Sequence, residues 1–340
     1  MAKTSRRTFL KAGTAAIGAI ALGNMVQLPV AGGAFAASPA QKSQVFFTDD
    51  ISVAGLHKIY ERIKPALSGK VAIKLHTGEP NGNNLLPIDL IKGLQSRIAD
   101  STIVETNTLY PGPRQTTREH RKVLEINGWT FCPVDIMDAE GDIMLPIPGM
   151  REMLEKYAAP GIEYPFTPGT HLTEIAVGKT LPKYDSMLVY THFKGHVSGG
   201  YGGSLKNIAI GCASGRRGKR QIHGDGWIKG PLFQELMVES AKGIIGHFGS
   251  RMAYINVLKN LSVDCDCNPN GAAPKARDIG ILASLDLLAV ERASVDMLYA
   301  LPEAEKHDLV ERIESRSGLR QLEYMKTLEM GSEQYEIIKL

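Results

Sequence analysis

Five short apolar runs alternate with amphipathic helical patterns, and this alternation restricts the chain more than any other feature of its sequence. The runs are "KVAIKLH" (70–76), "STIVET" (101–106), "SMLVYTH" (186–192), "MAYINVL" (252–258) and "DIGILAS" (278–284). Each has strand length, includes β-branched residues and is bounded by turn formers, the pattern of a buried strand. Between them lie "LPIDLIKGLQSRIAD" (86–100), "RQTTREHRKVLEIN" (114–127), "PLFQELMVESAKGIIGHF" (231–248) and "DLLAVERASVDMLYA" (286–300), with Pro87 near one start and Gly128 closing another. Such helix signals between strands predict an α/β fold, a largely parallel or mixed sheet with helices on both faces. No repeat or low-complexity linker divides residues 37–340, so a single large domain is expected.

The segment after each run is polar and rich in glycine. After the first comes "HTGEPNGNN", after the second "NTLYPGPR", after the third "HFKGHVSGGYGG", after the fourth "KNLSVDCDCNPNG" and after the fifth "SLD". Loops at the carboxyl ends of parallel strands are the usual seat of a ligand site. If these five share one edge, their polar residues converge on one cleft.

His192 and His196 are four residues apart, the spacing of a metal pair on one helix face. Gly195, Gly199, Gly200, Gly202 and Gly203 rule that geometry out, since each costs about 1 kcal/mol relative to alanine inside a helix. Both histidines are therefore expected on a loop. "GGYGGSLKN" resembles a phosphate-cradling turn, with Ser204 as helix cap and Lys206 as a nearby cation. It lacks the G-x-x-x-x-G-K-[ST] and G-x-G-x-x-G spacings of nucleotide sites.

"DCDC" (264–267) is the most pointed tetrad. The thiolates of Cys265 and Cys267 select soft or borderline metals, and Asp264 and Asp266 are available as ligands or as acceptors behind them. A disulfide or free buried thiols fit the same residues, although bridging Cys265 to Cys267 across one residue is strained. Pairing with Cys132 and Cys212 also stays open. The absence of any C-x-x-C excludes an ordinary ferredoxin cluster or zinc ribbon. In "HTGEP", His76 and Glu79 make either a ligand pair or a general base with a carboxylate beside it. Arg114, at the expected start of a helix, is placed to grip an anion, with His120 on another side of that helix. His57, His171, His247 and His307 lie in segments without other chemical signal and read as surface or structural residues.

"VAIKLHTGEPNGNNLLP", "ETNTLYPGPRQTTREH", "THFKGHVSGGYGGSLKNIAIGCASGRRGKRQIH" and "DCDCNP" with "DIGILASLDLLAVERASVDML" resemble, in this order, the widespread family of uncharacterised iron–sulfur centre proteins. The likeness runs from about residue 45 to the C-terminal "GSEQYEIIKL". It implies an α/β domain and, in many members, cysteine-rich cluster motifs inserted after the segment matching "GKRQIH". Here "GDGWIKGPLFQELMV" stands in that place without a cysteine, so no ferredoxin-type cluster is expected. The resemblance carries over a polar set: His76 and Glu79; Asn107 and Arg114; His192, Lys194, His196, Lys206 and Asn207; Asp264, Cys265, Asp266 and Cys267. It names a site belonging to the core domain without naming its chemistry.

The N-terminus stands apart. Arg6 and Arg7 with Phe9, Leu10 and Lys11, a short apolar run and Ala34-Phe35-Ala36 resemble a twin-arginine export signal, and the run is too brief to span a bilayer. The translocase of that route is an expected partner, and the periplasm or cell exterior the expected destination. Removing residues 1–36 leaves 35 basic against 36 acidic residues, so no basic field argues for nucleic acid. No second membrane-length segment is present.

These features support an exported metal- or cofactor-binding protein of redox or cofactor-handling type. His192, His196, Asp264, Cys265, Asp266 and Cys267 are the candidate ligands, with zinc or iron favoured over magnesium or calcium. The alternative is a metal-free enzyme or binding protein for a small carboxylate or phosphate. Asn107, Arg114, Lys194, Lys206 and Asn207 then hold the anion while His76 and Glu79 move a proton. A blander third possibility is an interaction protein with a vestigial site.

Overall fold

A computed structural model describes residues 42–340, and the expected export signal lies outside the described residues. In chain order the strands are β1 (Ser43–Thr48), β2 (Val71–Lys74), β3 (Ser101–Glu105), β4 (Val134–Ile136), β5 (Asp142–Pro146) and β6 (Glu174–Gly178). They continue with β7 (Ser186–His192), β8 (Lys194–His196), β9 (Gly200–Gly202), β10 (Met252–Leu258), β11 (Gly280–Ser284) and β12 (Tyr335–Lys339). The helices are α1 (Val53–Ile63), α2 (Ile88–Gln95), α3 (Thr117–Ile126), α4 (Met150–Tyr157) and α5 (Ser204–Gly211). After them come α6 (Gly218–His223), α7 (Pro231–Phe248), α8 (Leu287–Tyr299), α9 (Glu303–Ser315) and α10 (Arg320–Thr327). No described helix is long and apolar enough to cross a membrane.

Because strand side chains alternate between faces, each central strand feeds two separate cores. In β7, Met187 and Val189 join one core and Leu188 and Tyr190 the other; in β10, Met252 and Tyr254 part in the same way from Ala253 and Ile255. The first core is closed by α5, α7 and α8 through residues such as Leu205, Phe233 and Leu288. The second is closed by α1 and α2 through Leu56, Ile59, Leu90 and Leu94. Local signals start these helices where the sequence marks them. Ser52, Thr116 and Asp286 each accept the backbone N–H three residues on, and Pro231 opens α7.

The main sheet has the order β12-β1-β11-β10-β7-β2-β3-β4. All of its neighbours pair in parallel except β11, which is antiparallel to both β1 and β10. The expected mixed α/β architecture is therefore present, with one correction to the shared edge. Since β11 runs the other way, the "SLD" loop leaves from the far edge, and four of the five loops share an edge. They come after β10, β7, β2 and β3, which are adjacent in the sheet. From β2 the chain steps outward to β3 and β4, then returns on the other side of β2 to lay down β7 and β10. The gap above the β2/β7 pair is thus a topological switch point, where open α/β sheets place their ligands.

Candidate functional site

A cavity of about 320 Å³ opens above this switch point. Its base is organised by Asn207 from the first turns of α5. The Asn207 amide donates to Tyr190 O at 3.1 Å and Thr191 Oγ1 at 2.9 Å, and its oxygen accepts from Lys74 Nζ at 3.0 Å. One side chain thereby ties together the ends of β2 and β7.

Lys74 is almost wholly buried at the end of β2 and pairs with Glu105 Oε2 at 3.1 Å. Glu105, at the end of β3, also accepts from the Thr77 amide at 3.1 Å, faces His76 Nδ1 at 3.3 Å and lies 3.7 Å from Arg114. Burial alone raises a carboxyl pKa, but Lys74, His76 and Arg114 outweigh it and hold Glu105 well below the usual range. Arg114 in turn donates from Nε to Glu79 Oε1 at 2.9 Å, and Tyr110 OH donates to the same oxygen at 2.8 Å. Lys219, from α6, donates to Thr106 Oγ1, Asn107 O and Ala213 O. Burial brings its pKa down to about 8 against the pull of Asp138 and Glu105.

On the opposite wall Cys265, Cys267 and His196 bring their ligand-type atoms within 4.8 Å of one another. The two thiols share a proton unevenly. Cys265 is held well below the ordinary thiol range, first by a hydrogen bond from Cys267 and then by His196, His76 and Lys206, while Cys267 is pushed well above it. His196 Nδ1 accepts the Gly199 amide at 2.9 Å and the Ser198 amide at 3.2 Å. Burial, aided by Lys206, lowers its pKa to about 4, so the ring is neutral and, with Nδ1 accepting, carries its proton on Nε2. Gly195 makes the approach possible: a Cβ there would strike Val263 O, and its N–H bonds Ser262 O at 2.8 Å, locking the β8–β9 hairpin to the cysteine loop.

The residues singled out in the sequence divide into three groups. His76, Arg114, Lys194, His196, Lys206, Asn207, Cys265 and Cys267 line the cavity. His192 reaches its wall, but the ring is committed: Nδ1 is 3.0 Å from both oxygens of Asp266, and Nε2 is 2.8 Å from Lys259 O. Asp266 also pairs with Lys194 at 3.0 Å, and these cations bring its pKa down to about 2 despite burial. Glu79, Asn107 and Asp264 brace loops instead. Glu79 holds Arg114; Asn107 donates to Thr117 and Asp138; Asp264 accepts the Ala272 amide and lies 3.5 Å from Arg312. The thiols thus face the cavity while the interleaved carboxylates turn to other partners.

Several sequence expectations are corrected. His192 and His196 end β7 and β8 instead of lying in irregular loop. Helix α3 starts at Thr117, capped by Thr116, so Arg114 precedes it in the loop, and His120 is buried with Nδ1 3.3 Å from Asn107 Oδ1. All four cysteines are free, with Cys212 in one core and Cys132 against the other. The phosphate-type turn is already occupied from within. Gly203 caps α5, Ser204 bonds Asn256 and Thr191 through its hydroxyl, and the Ser204 amide donates to Glu291 Oε1 at 2.7 Å.

A family model described as "Domain of unknown function (DUF362)" matches residues 71–296, two thirds of the chain. The chain belongs to that family. The DUF362 match takes in every residue lining the cavity. No curated protein matches the chain. Among solved structures it is similar to the lactate racemase apoprotein from Thermoanaerobacterium thermosaccharolyticum, 14% identical, with 65% of this chain and 52% of that one covered at a TM-score of 0.36. A Thermotoga maritima protein is 16% identical, with 59% and 49% covered at a TM-score of 0.34. The chain spans about half the length of each, and likeness of that size carries no argument about ligand or reaction.

The carboxylate that fills the α5 turn of this DUF362 member has a measurable signature. Burial raises the Glu291 pKa from 4.5 to about 7, against donors from Asn256 and Ser204. The folded chain therefore keeps a proton that the unfolded chain releases above pH 4.5. Its contribution is complete below that pH and fades as pH climbs to about 7, by about 3 kcal/mol in all. Denaturant unfolding at pH 5 and pH 8 is expected to show this drop in the native chain and a flattened one in Glu291→Gln. An equal drop in both would assign it to other groups.

Proposed function

We propose that this protein binds a small anionic ligand or cofactor together with a soft or borderline metal ion, held by the sulfurs of Cys265 and Cys267. The observation that carries this is the Cys265–Cys267–His196 cluster opening on a cavity lined by Lys74, Arg114, Lys194, Lys206 and Lys219, with Glu105 the only carboxylate on its wall among the described residues. Two adjacent thiols suit zinc or iron better than a hard cation. His196 fits as the hydrogen-bond donor to Cys265, because its Nδ1 already accepts backbone N–H groups and its Nε2 bears the proton. Donation to a ligating sulfur tunes such a centre without adding a ligand. Two protein sulfurs leave coordination positions for the bound anion, and the surplus of cations around them neutralises it.

Metal and visible absorption measured on protein isolated from its native compartment test the metal part. About one metal ion per chain, lost to a chelator with a fall in melting temperature, is expected; a metal-free preparation whose melting temperature ignores both chelator and added zinc or iron defeats it. A metal-free chemistry has its own support in Glu105, which faces His76 Nδ1, while His76 in turn helps hold the Cys265 thiol below its ordinary pKa. In that case the Cys265 thiolate is the nucleophile and His76 the proton carrier, with Glu105 taking the place expected of Glu79. Anion binding that survives chelation, together with alkylation at Cys265 that abolishes turnover of the bound anion, selects it.

We further propose that the chain is exported folded by the twin-arginine route to the periplasm or cell exterior, supported by the paired arginines and the A-x-A site in residues 1–36. Fractionation is expected to recover a chain beginning at Ala37, and Arg6→Lys/Arg7→Lys to retain the unprocessed form inside the cell.

A further inference from the structure

The lining of the cavity has two chemically different parts. One is ionic and sulfur-bearing, around Cys265 and Cys267. The other is the apolar and aromatic surface of Trp227, His223, Val197, Leu109 and Ile210.

Trp227 is 43% exposed and Val197 57%, unusual for large apolar side chains at the rim of a polar cavity. The Trp227 backbone has φ +54°, a left-handed conformation that bulky residues rarely adopt, in a short segment between α6 and α7 flanked by Gly224 and Gly230 at positive φ. That conformation sets the indole beside His223, with ring centroids 4.8 Å apart, and His223 is 5.0 Å from Phe233. The His223 ring makes no hydrogen bond to another described residue. Burial, with Lys206 nearby, lowers its pKa to about 3, so the aromatic wall is uncharged at neutral pH.

Lys206 acts on both parts, its charge lowering the pKa of Cys265 and of His223. It projects from the first turn of α5, lines the cavity and forms no hydrogen bond or ion pair with another described residue. The other cations of the wall have partners: Lys74 and Arg114 hold Glu105, Lys194 holds Asp266, and Lys219 is bonded to Thr106, Asn107 and Ala213. Lys206 is thus the lysine of the wall with no carboxylate or hydrogen-bonded partner among the described residues, its charge facing the Cys265 thiol and any ligand that enters.

We propose that the ligand of this cavity is a planar ring bearing a phosphate or carboxylate group, the ring lying against Trp227 and His223 and the anionic group reaching Lys206. The proposal rests on the cavity being the anion site and adds the chemical class of the molecule that enters it. Ring stacking on an exposed indole next to an unpaired cation favours a flat, singly headed anion over a compact one.

Matched pairs of probes separate the two parts: inorganic phosphate against phenyl phosphate, and acetate against benzoate, titrated calorimetrically into the protein as isolated, with and without added zinc, at constant ionic strength. The ring-bearing member of each pair is expected to bind at least ten-fold more tightly and to quench indole emission. Trp227→Leu is expected to reduce that preference to three-fold or less while leaving phosphate affinity unchanged. Lys206→Met is expected to weaken both members ten-fold. The fluorescence change in the native chain keeps the test valid should Trp227→Leu fold poorly, since the second tryptophan, Trp129, is half-buried and donates to Thr77 O. Equal affinities within each pair, or a preference that survives in Trp227→Leu, overturn the proposal and leave anion binding intact. No binding of any probe overturns it along with the anion part of the proposed function.

Discussion

Glu105→Gln is expected to lower the unfolding temperature by of order 10 °C. Glu105 is the shared acceptor for Lys74 and Arg114, all three nearly inaccessible to water, with Lys74 1% exposed. Neutralising the carboxylate strands a buried ammonium whose remaining partners, Asn207 Oδ1 and Leu75 O, are uncharged. Breaking a buried pair from one side costs about 3–5 kcal/mol, and a chain of this size loses about 2 °C per kcal/mol. Arg114 is less affected because Glu79 still holds it. The pH dependence has a defined sign: the depressed Glu105 pKa makes its contribution complete above the ordinary carboxylate value of 4.5 and lost as pH falls below it. Acid unfolding of Glu105→Gln should therefore be shallower between pH 5 and pH 3. Lys74→Met/Glu105→Gln, which removes both charges, is expected to recover at least half of the loss. A drop of less than 2 °C in the single variant would show that the pair is not coupled as its geometry implies.

The sheet was legible in the sequence to the extent that hydrophobic period reports it. The five strongest runs became β2, β3, β7, β10 and β11, and the 231–248 pattern became α7 with the same limits, because Pro231 and Gly249 mark both ends. Edge strands β4 and β12, and β1 beside β12, have part-exposed, mixed patterns with no such signal. The direction of β11 was hidden for a different reason, since a buried strand reads alike in both senses. Strand order, and with it the switch point, depends on contacts far apart in sequence.

For the site, loop position after a strand found the neighbourhood, and contacts then sorted the residues within it. His192 and Asp266 looked like ligands because their residue types are ligands, yet they spend their polar atoms on each other, on Lys194 and on backbone carbonyls. Lys74 and Glu105 were missed although each carries a signal, a full charge inside an otherwise apolar strand run. Lys219, His223 and Trp227 come from a segment whose pattern says only helix and turn, so their place at the cavity rests on tertiary packing.

His196→Gln separates a ligand from a hydrogen-bond donor, and with the cysteine variants it is the test with the largest expected effect on binding. Cys265→Ser or Cys267→Ser removes one of two sulfur ligands and is expected to weaken zinc or iron binding at least 100-fold, because oxygen is a poor substitute for thiolate toward these metals. His196→Gln should cost about ten-fold, the usual scale for a residue behind a ligand. Its amide can keep an N–H directed at Cys265, although the acceptor that Gly199 N–H uses is lost. His196→Ala, with neither group, should fall between the two. The ordering follows from one feature of the geometry: a histidine that ligates a metal through Nε2 donates from Nδ1 to an acceptor, and His196 has backbone N–H groups at Nδ1 instead. Loss of binding in His196→Gln equal to that in Cys265→Ser would make the imidazole a ligand after all. The two backbone donors would then have to withdraw from Nδ1 on loading, a movement of the Ser198–Gly199 turn that amide hydrogen exchange at those two residues detects with and without metal.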